Sequence, residues 1–240
     1  MLEQMIDDSI MIAKAELHGI KLEKSQLEKL NSYASMLVEW NTKMNLTAIT
    51  DSNGIMTKHF EDSLSLLHFV DFPIGSNLID VGTGAGFPGM VLKILRADLN
   101  VTLLDSLNKR ISFLTAVADC IGVSVNSVHL RAEEGGRMAS YREKFDFACA
   151  RAVSNLRELS EYCLPFVRVG GQFLSMKGPD SSDEIDSARA GVGSLGGKIR
   201  SVLNYNLSDE SGRSLIIVDK VRSTPSQFPR QSAKIKKKPL

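Results

Sequence analysis

The chain has 240 residues, 43% of them apolar, with 29 basic residues against 28 acidic ones. That is apolar material for one large core, and the near-neutral balance excludes a globally basic nucleic-acid binder. No apolar run reaches the roughly eighteen residues of a membrane span, and Glu3, Asp7 and Asp8 break up the N-terminus, so no signal peptide is predicted either.

In chain order, residues 1–70 read as a helical cap. Leu2, Met5, Ile6, Ser9, Ile12, Ala13 and Leu17 recur at helical spacing, and Gly19 suits the end of that helix. Ser25 opens a second helix with Glu28 as its capping-box partner, and Leu27, Leu30, Ala34, Leu37 and Val38 line one face. A third helix starts near Asp51 or Ser52, carries Ile55, Met56, His59, Phe60 and Leu64, and runs through Val70. Between them, Trp40 to Thr50 is either a plain connection or a loop over a ligand crevice, with Asn45 and Thr47 as turn or cap residues.

Residues 71–222 then alternate strands and helices. Asn77 to Val81 is a short apolar strand, followed by a turn holding Gly82, Gly84, Gly86 and Gly89, then a helix opening at Pro88. Glycines there let the backbone turn sharply and let a ligand approach it, as in a nucleotide-cofactor crevice. A second strand ends at Asp105, about twenty residues on, where an acid can accept hydrogen bonds from two ribose hydroxyls. Asp105 could equally cap a helix starting near Ser106. Either NAD or S-adenosylmethionine fits a loop and acid of this kind.

Further strands are expected at Asn126 to Leu130, Phe145 to Ala150 and Gly171 to Met176. Two last strands, Lys198 to Leu207 and Arg213 to Val221, flank a turn and form an antiparallel hairpin. The fold class is therefore α/β: a Rossmann-like class I methyltransferase with a mostly parallel sheet that ends in an antiparallel hairpin, plus the N-terminal helical extension. An NAD(P)-dependent oxidoreductase is the rival. It is disfavoured by the hairpin and because none of the four tyrosines has a lysine four residues later.

Cys120, Cys149 and Cys163 form no metal or disulfide spacing, which predicts core packing and a reducing, cytoplasmic setting. His18, His68 and His129 show no ligand spacing, so no metal is expected. Arg151 ends the fourth strand, where it could pair with a cofactor carboxylate, a nucleotide phosphate or a protein acid. His59 and Asp62, three apart on a helix, either brace an acceptor pocket or satisfy each other in the core. Lys177 lies near the same rim and either contacts phosphate or shapes its loop. From Lys220 onward the chain has no acid; residues 223–240 read as a basic, proline-broken tail that is either solvated or a phosphate-tracking arm.

Several blocks together resemble the bacterial glucose-inhibited division protein B family, the 16S rRNA guanosine-N7 methyltransferases. They are Asn45-Leu-Thr-Ala-Ile49, His59-Phe-Glu-Asp-Ser-Leu64, Asp80-Val-Gly-Thr-Gly-Ala-Gly-Phe-Pro-Gly89, Asp105-Ser106 with Lys109-Arg110, Arg131-Ala-Glu-Glu134, Ala150-Arg-Ala152 and Lys238-Pro-Leu240. The resemblance implies S-adenosyl-L-methionine as cofactor and 16S rRNA or the small ribosomal subunit as partner; a monomer is expected, and no membrane partner. It places Gly82 and Phe87 against the cofactor, Ala132 and Glu133 beside its adenine, Asp105 on its ribose and Arg151 at its far end. Guanine N7 has a free lone pair and no proton to lose, so a general base is unnecessary. None is predicted: residues 150–154 lack the Asn/Asp-Pro-Pro-aromatic motif of base-amino methylation, and neither Cys149 nor Cys163 has the context of an activated thiolate. A non-catalytic RNA-binding protein on a methyltransferase fold remains the third reading.

Overall fold

A computed structural model describes residues 4–151, 154–179 and 182–240; Leu2 and Ala152 of the expectations above lie outside them. Its centre is a seven-stranded sheet of order β3-β2-β1-β4-β5-β7-β6. The strands are β1 (Asn77–Val81), β2 (Asn100–Asp105), β3 (Asn126–His129), β4 (Phe145–Arg151), β5 (Val167–Lys177), β6 (Gly197–Asn206) and β7 (Gly212–Lys220). β1 to β5 pair in parallel; β7 runs antiparallel to both β5 and β6. The expected hairpin is thus present, and the sheet is that of a class I methyltransferase.

Alternate strand residues feed opposite faces, as pleating requires. Leu78, Cys149, Leu215 and Ile217 join one apolar cluster with the N-terminal helices, α6 (Gly89–Leu95) and α7 (Asn108–Ile121). Ile79, Ala148, Ala150, Ile216 and Val218 join a second with α9 (Leu156–Cys163), α10 (Ser182–Ser194) and the C-terminal residues Phe228 and Ile235. Residues 6–72 therefore share their core with the sheet.

Several local expectations are corrected. α1 is Asp8–Glu16, opened by Asp7, whose carboxylate accepts from Ile10 N at 3.1 Å. Gly19 does end it, at φ +71, with Ile20 N bonded back to Ala15 O. The face it buries is Met11, Lys14 and Ala15, while Leu17 is exposed. Tertiary charge sets that rotation: Lys14 and His18 both reach the fully buried Glu61. α2 (Lys24–Met44) is capped by Glu23 and Gln26, two residues earlier than the expected Ser25 and Glu28. The third helical segment begins as expected, with Asp51 accepting from Gly54 N at 2.7 Å. It then widens: α3 (Ser52–Gly54) passes into a π-helix (Ile55–Glu61), then α4 (Asp62–Leu64) and α5 (Leu66–Phe69). Such π turns commonly mark functional sites. Cys120 is exposed and is no core residue.

The tail is docked. Lys220 is 1% exposed, and its ammonium donates to Leu164 O, Val167 O and Thr224 Oγ1 and pairs with Glu143 at 3.2 Å. It belongs to β7 and not to a free arm. Arg230 pairs with Glu161, and between Pro229 and Pro239 the chain folds a short helix, α11 (Ser232–Lys237), where irregular structure was expected.

Candidate cofactor and acceptor site

A cavity of about 550 Å³ opens at the carboxyl ends of β1, β2 and β4, where parallel α/β sheets bind ligands. The glycine turn forms its floor. Gly82 N and Thr83 N both bond Leu104 O, which ties the turn to β2. Gly84 sits at φ +61, and a Cβ built on it meets nothing within 4 Å, so its backbone faces open cavity. Beneath lies Asp80, fully buried. Its Oδ2 accepts from Thr83 Oγ1 at 2.7 Å and from Gly89 N, at the start of α6, at 2.9 Å. Burial raises its carboxyl to about 6 despite those bonds.

Asp105 both turns the chain towards the next helix and lies in the cavity wall. Its Oδ1 accepts from Leu107 N at 2.9 Å, which turns the chain into α7; its Oδ2 accepts from Gly84 N at 3.0 Å and from Arg110 at 3.1 Å, in the cavity wall. Gly82, Phe87, Ala132, Glu133 and Arg151 line the same cavity. Gly86 does not. It lies at φ +102 under the N-terminal helices, where a Cβ would sit 2.5 Å from Tyr33 Oη and 2.8 Å from Leu114 Cδ2. The need for glycine there comes from Tyr33, whose hydroxyl donates to Ala85 O.

At the other end, Arg151 donates to Lys58 O at 2.9 Å and Asp62 Oδ2 at 3.0 Å, and meets His59 Nδ1 at 3.2 Å. Its guanidinium carbon lies 5.1 Å from the centroid of Phe87, a cation–π contact. His59 stacks on the same ring at 4.4 Å. His59 is thus a cavity residue. Asp62 is not one: it holds Arg151 and Arg213 from outside the wall. Lys177 is also absent from the wall, its ammonium committed to Ser154 O and Glu184 at 2.6 and 2.7 Å. The loop reading of Trp40 to Thr50 holds in part. α2 consumes residues up to Met44; then Asn45 turns at φ 49, Asn41 accepts from Leu46 N and Thr47 N, and Leu46 and Thr47 reach the cavity.

Sequence reasoning missed Arg110, Tyr162, Ser232 and Lys236 in the wall. Arg110 carried a usable signal, since it lies one helical turn beyond Asp105. The other three carried none, because only tertiary folding brings them here.

The family model described as rRNA small subunit methyltransferase G matches residues 26–211. The chain is 49% identical over 233 residues to the ribosomal RNA small subunit methyltransferase G of Clostridium beijerinckii, covering 96% of this chain and 98% of that protein. The chain belongs to the rRNA small subunit methyltransferase G family. The family's protein from Brevibacillus brevis is 46% identical over 224 residues, covering 92% of this chain and 94% of that protein. Among solved structures, the 16S rRNA (adenine(1408)-N(1))-methyltransferase of Catenulisporales acidiphilia superposes with a TM-score of 0.53 at 15% identity, over 62% of this chain and 87% of that one. That likeness is one of fold.

Within this family member, His59 is a neutral imidazole. Burial and the adjacent Arg151 cation push it down to about 3. Its Nε2 lies 2.9 Å from Thr47 Oγ1, and its Nδ1 lies 3.2 Å from both the Arg151 guanidinium and the Lys58 carbonyl. Because the folded state binds fewer protons than an unfolded histidine, this group's stability contribution is present above its ordinary value of 6.5 and is lost as pH falls towards 3. The His59 ring resonances in NMR should therefore stay flat from about pH 8 to about pH 5. A midpoint near the ordinary histidine value would refute this environment.

Proposed function

We propose that this chain transfers a methyl group from S-adenosylmethionine to N7 of a guanosine in 16S rRNA by direct displacement, with no general base. The residues suit that cofactor: Gly84 leaves backbone open to a ligand, and Asp105 presents a carboxylate beside it. When bound, the cofactor supplies a methyl group on an electrophilic sulfonium. The chain's part is to align and hold. Asp105 would accept from the ribose hydroxyls, Gly82 and Gly84 would line the backbone approach, and Ala132 and Glu133 would flank the adenine. Arg151, fixed by Asp62 and the Lys58 carbonyl, would offer a guanidinium to the far end of the site. Such positioning lowers the barrier chiefly by removing orientational freedom.

The observation that carries the base-free reading is His59. It is the imidazole in the cavity wall, and it is held far below the range in which it could take a proton near neutral pH. Burial also pushes the Cys149 and Cys163 thiols well above their ordinary range, which leaves them poor nucleophiles. Exposed Lys234, Lys236, Lys237 and Lys238 lie on or beside α11, whose Lys236 lines the cavity, which supports contact with an RNA backbone. On this reading the protein works in the cytoplasm as a monomer.

The test maps radiolabelled methyl groups on small-subunit RNA, with borohydride–aniline scission to report N7 methylation. Label at one guanosine, undiminished in a folded variant with all three cysteines replaced by alanine, is the expected result. Label at another base atom, or loss of turnover in a Cys149 or Cys163 variant that still binds cofactor, would replace displacement at N7 with other chemistry.

A further inference from the structure

The C-terminal segment has two attachments that an RNA-tracking arm does not need. Before α11, the fully buried Glu161 accepts from Arg230 N at 2.7 Å and from its guanidinium at 2.9 and 2.6 Å. After α11, Arg157 donates to Pro239 O at 2.6 Å, and Leu240 packs where Gly191 leaves no room for a Cβ. Between the two, Ile235 is fully buried in the second apolar cluster. The helix is seated within the protein alone.

Its path crosses the part of the site given to adenosine. α8 (Ala132–Gly135) carries Ala132 and Glu133. Immediately after it, Arg137 donates to Pro229 O at 2.7 Å and to Gln227 O at 2.8 Å, and a Cβ on Gly136 would lie 3.0 Å from Pro229 Cγ. From there α11 turns Ser232 and Lys236 into the cavity that Asp105, Ala132 and Glu133 line. Ser232 Oγ lies 3.0 Å from the Tyr162 hydroxyl, which orients it.

We propose that α11 is a wall of the cofactor site, with Ser232 and Lys236 as binding residues for the adenosine end. The inference rests on the cofactor reading above. Adenine offers ring-nitrogen acceptors and an amine donor, and a hydroxyl anchored by a second hydroxyl can serve either. The lysine stem covers apolar ring surface while its ammonium stays in water. The C-terminal segment thereby couples to cofactor affinity without RNA.

The test is calorimetry, with no RNA present, using S-adenosylhomocysteine and 5′-methylthioadenosine, which lacks the amino-acid end. The variants are a Ser232→Ala, Lys236→Ala pair, which leaves Ile235 seated, and Arg157→Ala, which unlatches the C-terminus. The double variant should weaken both ligands by the same factor, about tenfold, the size of one or two hydrogen bonds. Arg157→Ala should weaken both in the same direction. The inference is overturned if the unmodified chain binds both ligands and the double variant binds them equally well; the cofactor reading then stands. If the unmodified chain binds neither ligand, both fall together.

Discussion

Asp105→Ala should raise the dissociation constant for S-adenosylmethionine by about 10- to 100-fold, the loss of one or two charge-assisted hydrogen bonds. The carboxylate is 2% exposed and already accepts from Gly84 N, Leu107 N and Arg110. Its removal frees the glycine turn on one side and the entrance to α7 on the other. It also leaves the Arg110 guanidinium, whose Nε has no partner among the described residues, without its acid. Some stability must go too, so calorimetry has to be paired with denaturant unfolding. Asp105→Asn keeps an acceptor and drops the charge, and should fall between the two. A folded Asp105→Ala protein with unchanged cofactor affinity would remove the ribose role from this residue.

Gly86→Ala should act on stability, by about 2–5 kcal/mol, from backbone strain and overpacking together. At φ +102 the added Cβ is strained in any surroundings, and it would sit 2.5 Å from Tyr33 Oη. Tyr33 is fully buried and stacked against Phe87 at 5.2 Å, so its hydroxyl has little freedom to retreat. Gly84→Ala makes the contrast. Its φ of +61 costs about 1–2 kcal/mol in a non-glycine residue, but its Cβ enters open cavity. Urea unfolding with and without cofactor separates them: Gly86→Ala loses stability equally in both states, while Gly84→Ala also loses ligand stabilisation. A Gly86→Ala protein as stable as the parent would mean that Tyr33 does not clamp the turn.

The sequence by itself determined the sheet and one side of the site. Strand runs such as Asn77–Val81 and Asn100–Asp105 are apolar because parallel strands are buried on both faces. Most of the glycine turn and the placing of Asp105 follow from short-range backbone needs, while at Gly86 the distant Tyr33 adds its own demand for glycine. The hairpin was legible for the same reason.

Tertiary structure decided everything that depends on a partner distant in the chain. Hydrophobic spacing says that α1 buries a face, but it was Glu61 that turned Lys14 and His18 inward. The string His59 to Leu64 reads as one amphipathic helix; only Arg151, docking on the Lys58 carbonyl and Asp62, gave its π turn a role in the site. Lys220 and Arg230 look like a solvated basic tail until Glu143 and Glu161 are folded against them. Ser232 and Lys236 entered the cavity wall because the buried Glu161 and Arg157 anchor their helix at both ends. Charge and burial are properties of neighbours, and for these residues the neighbours come from far along the chain.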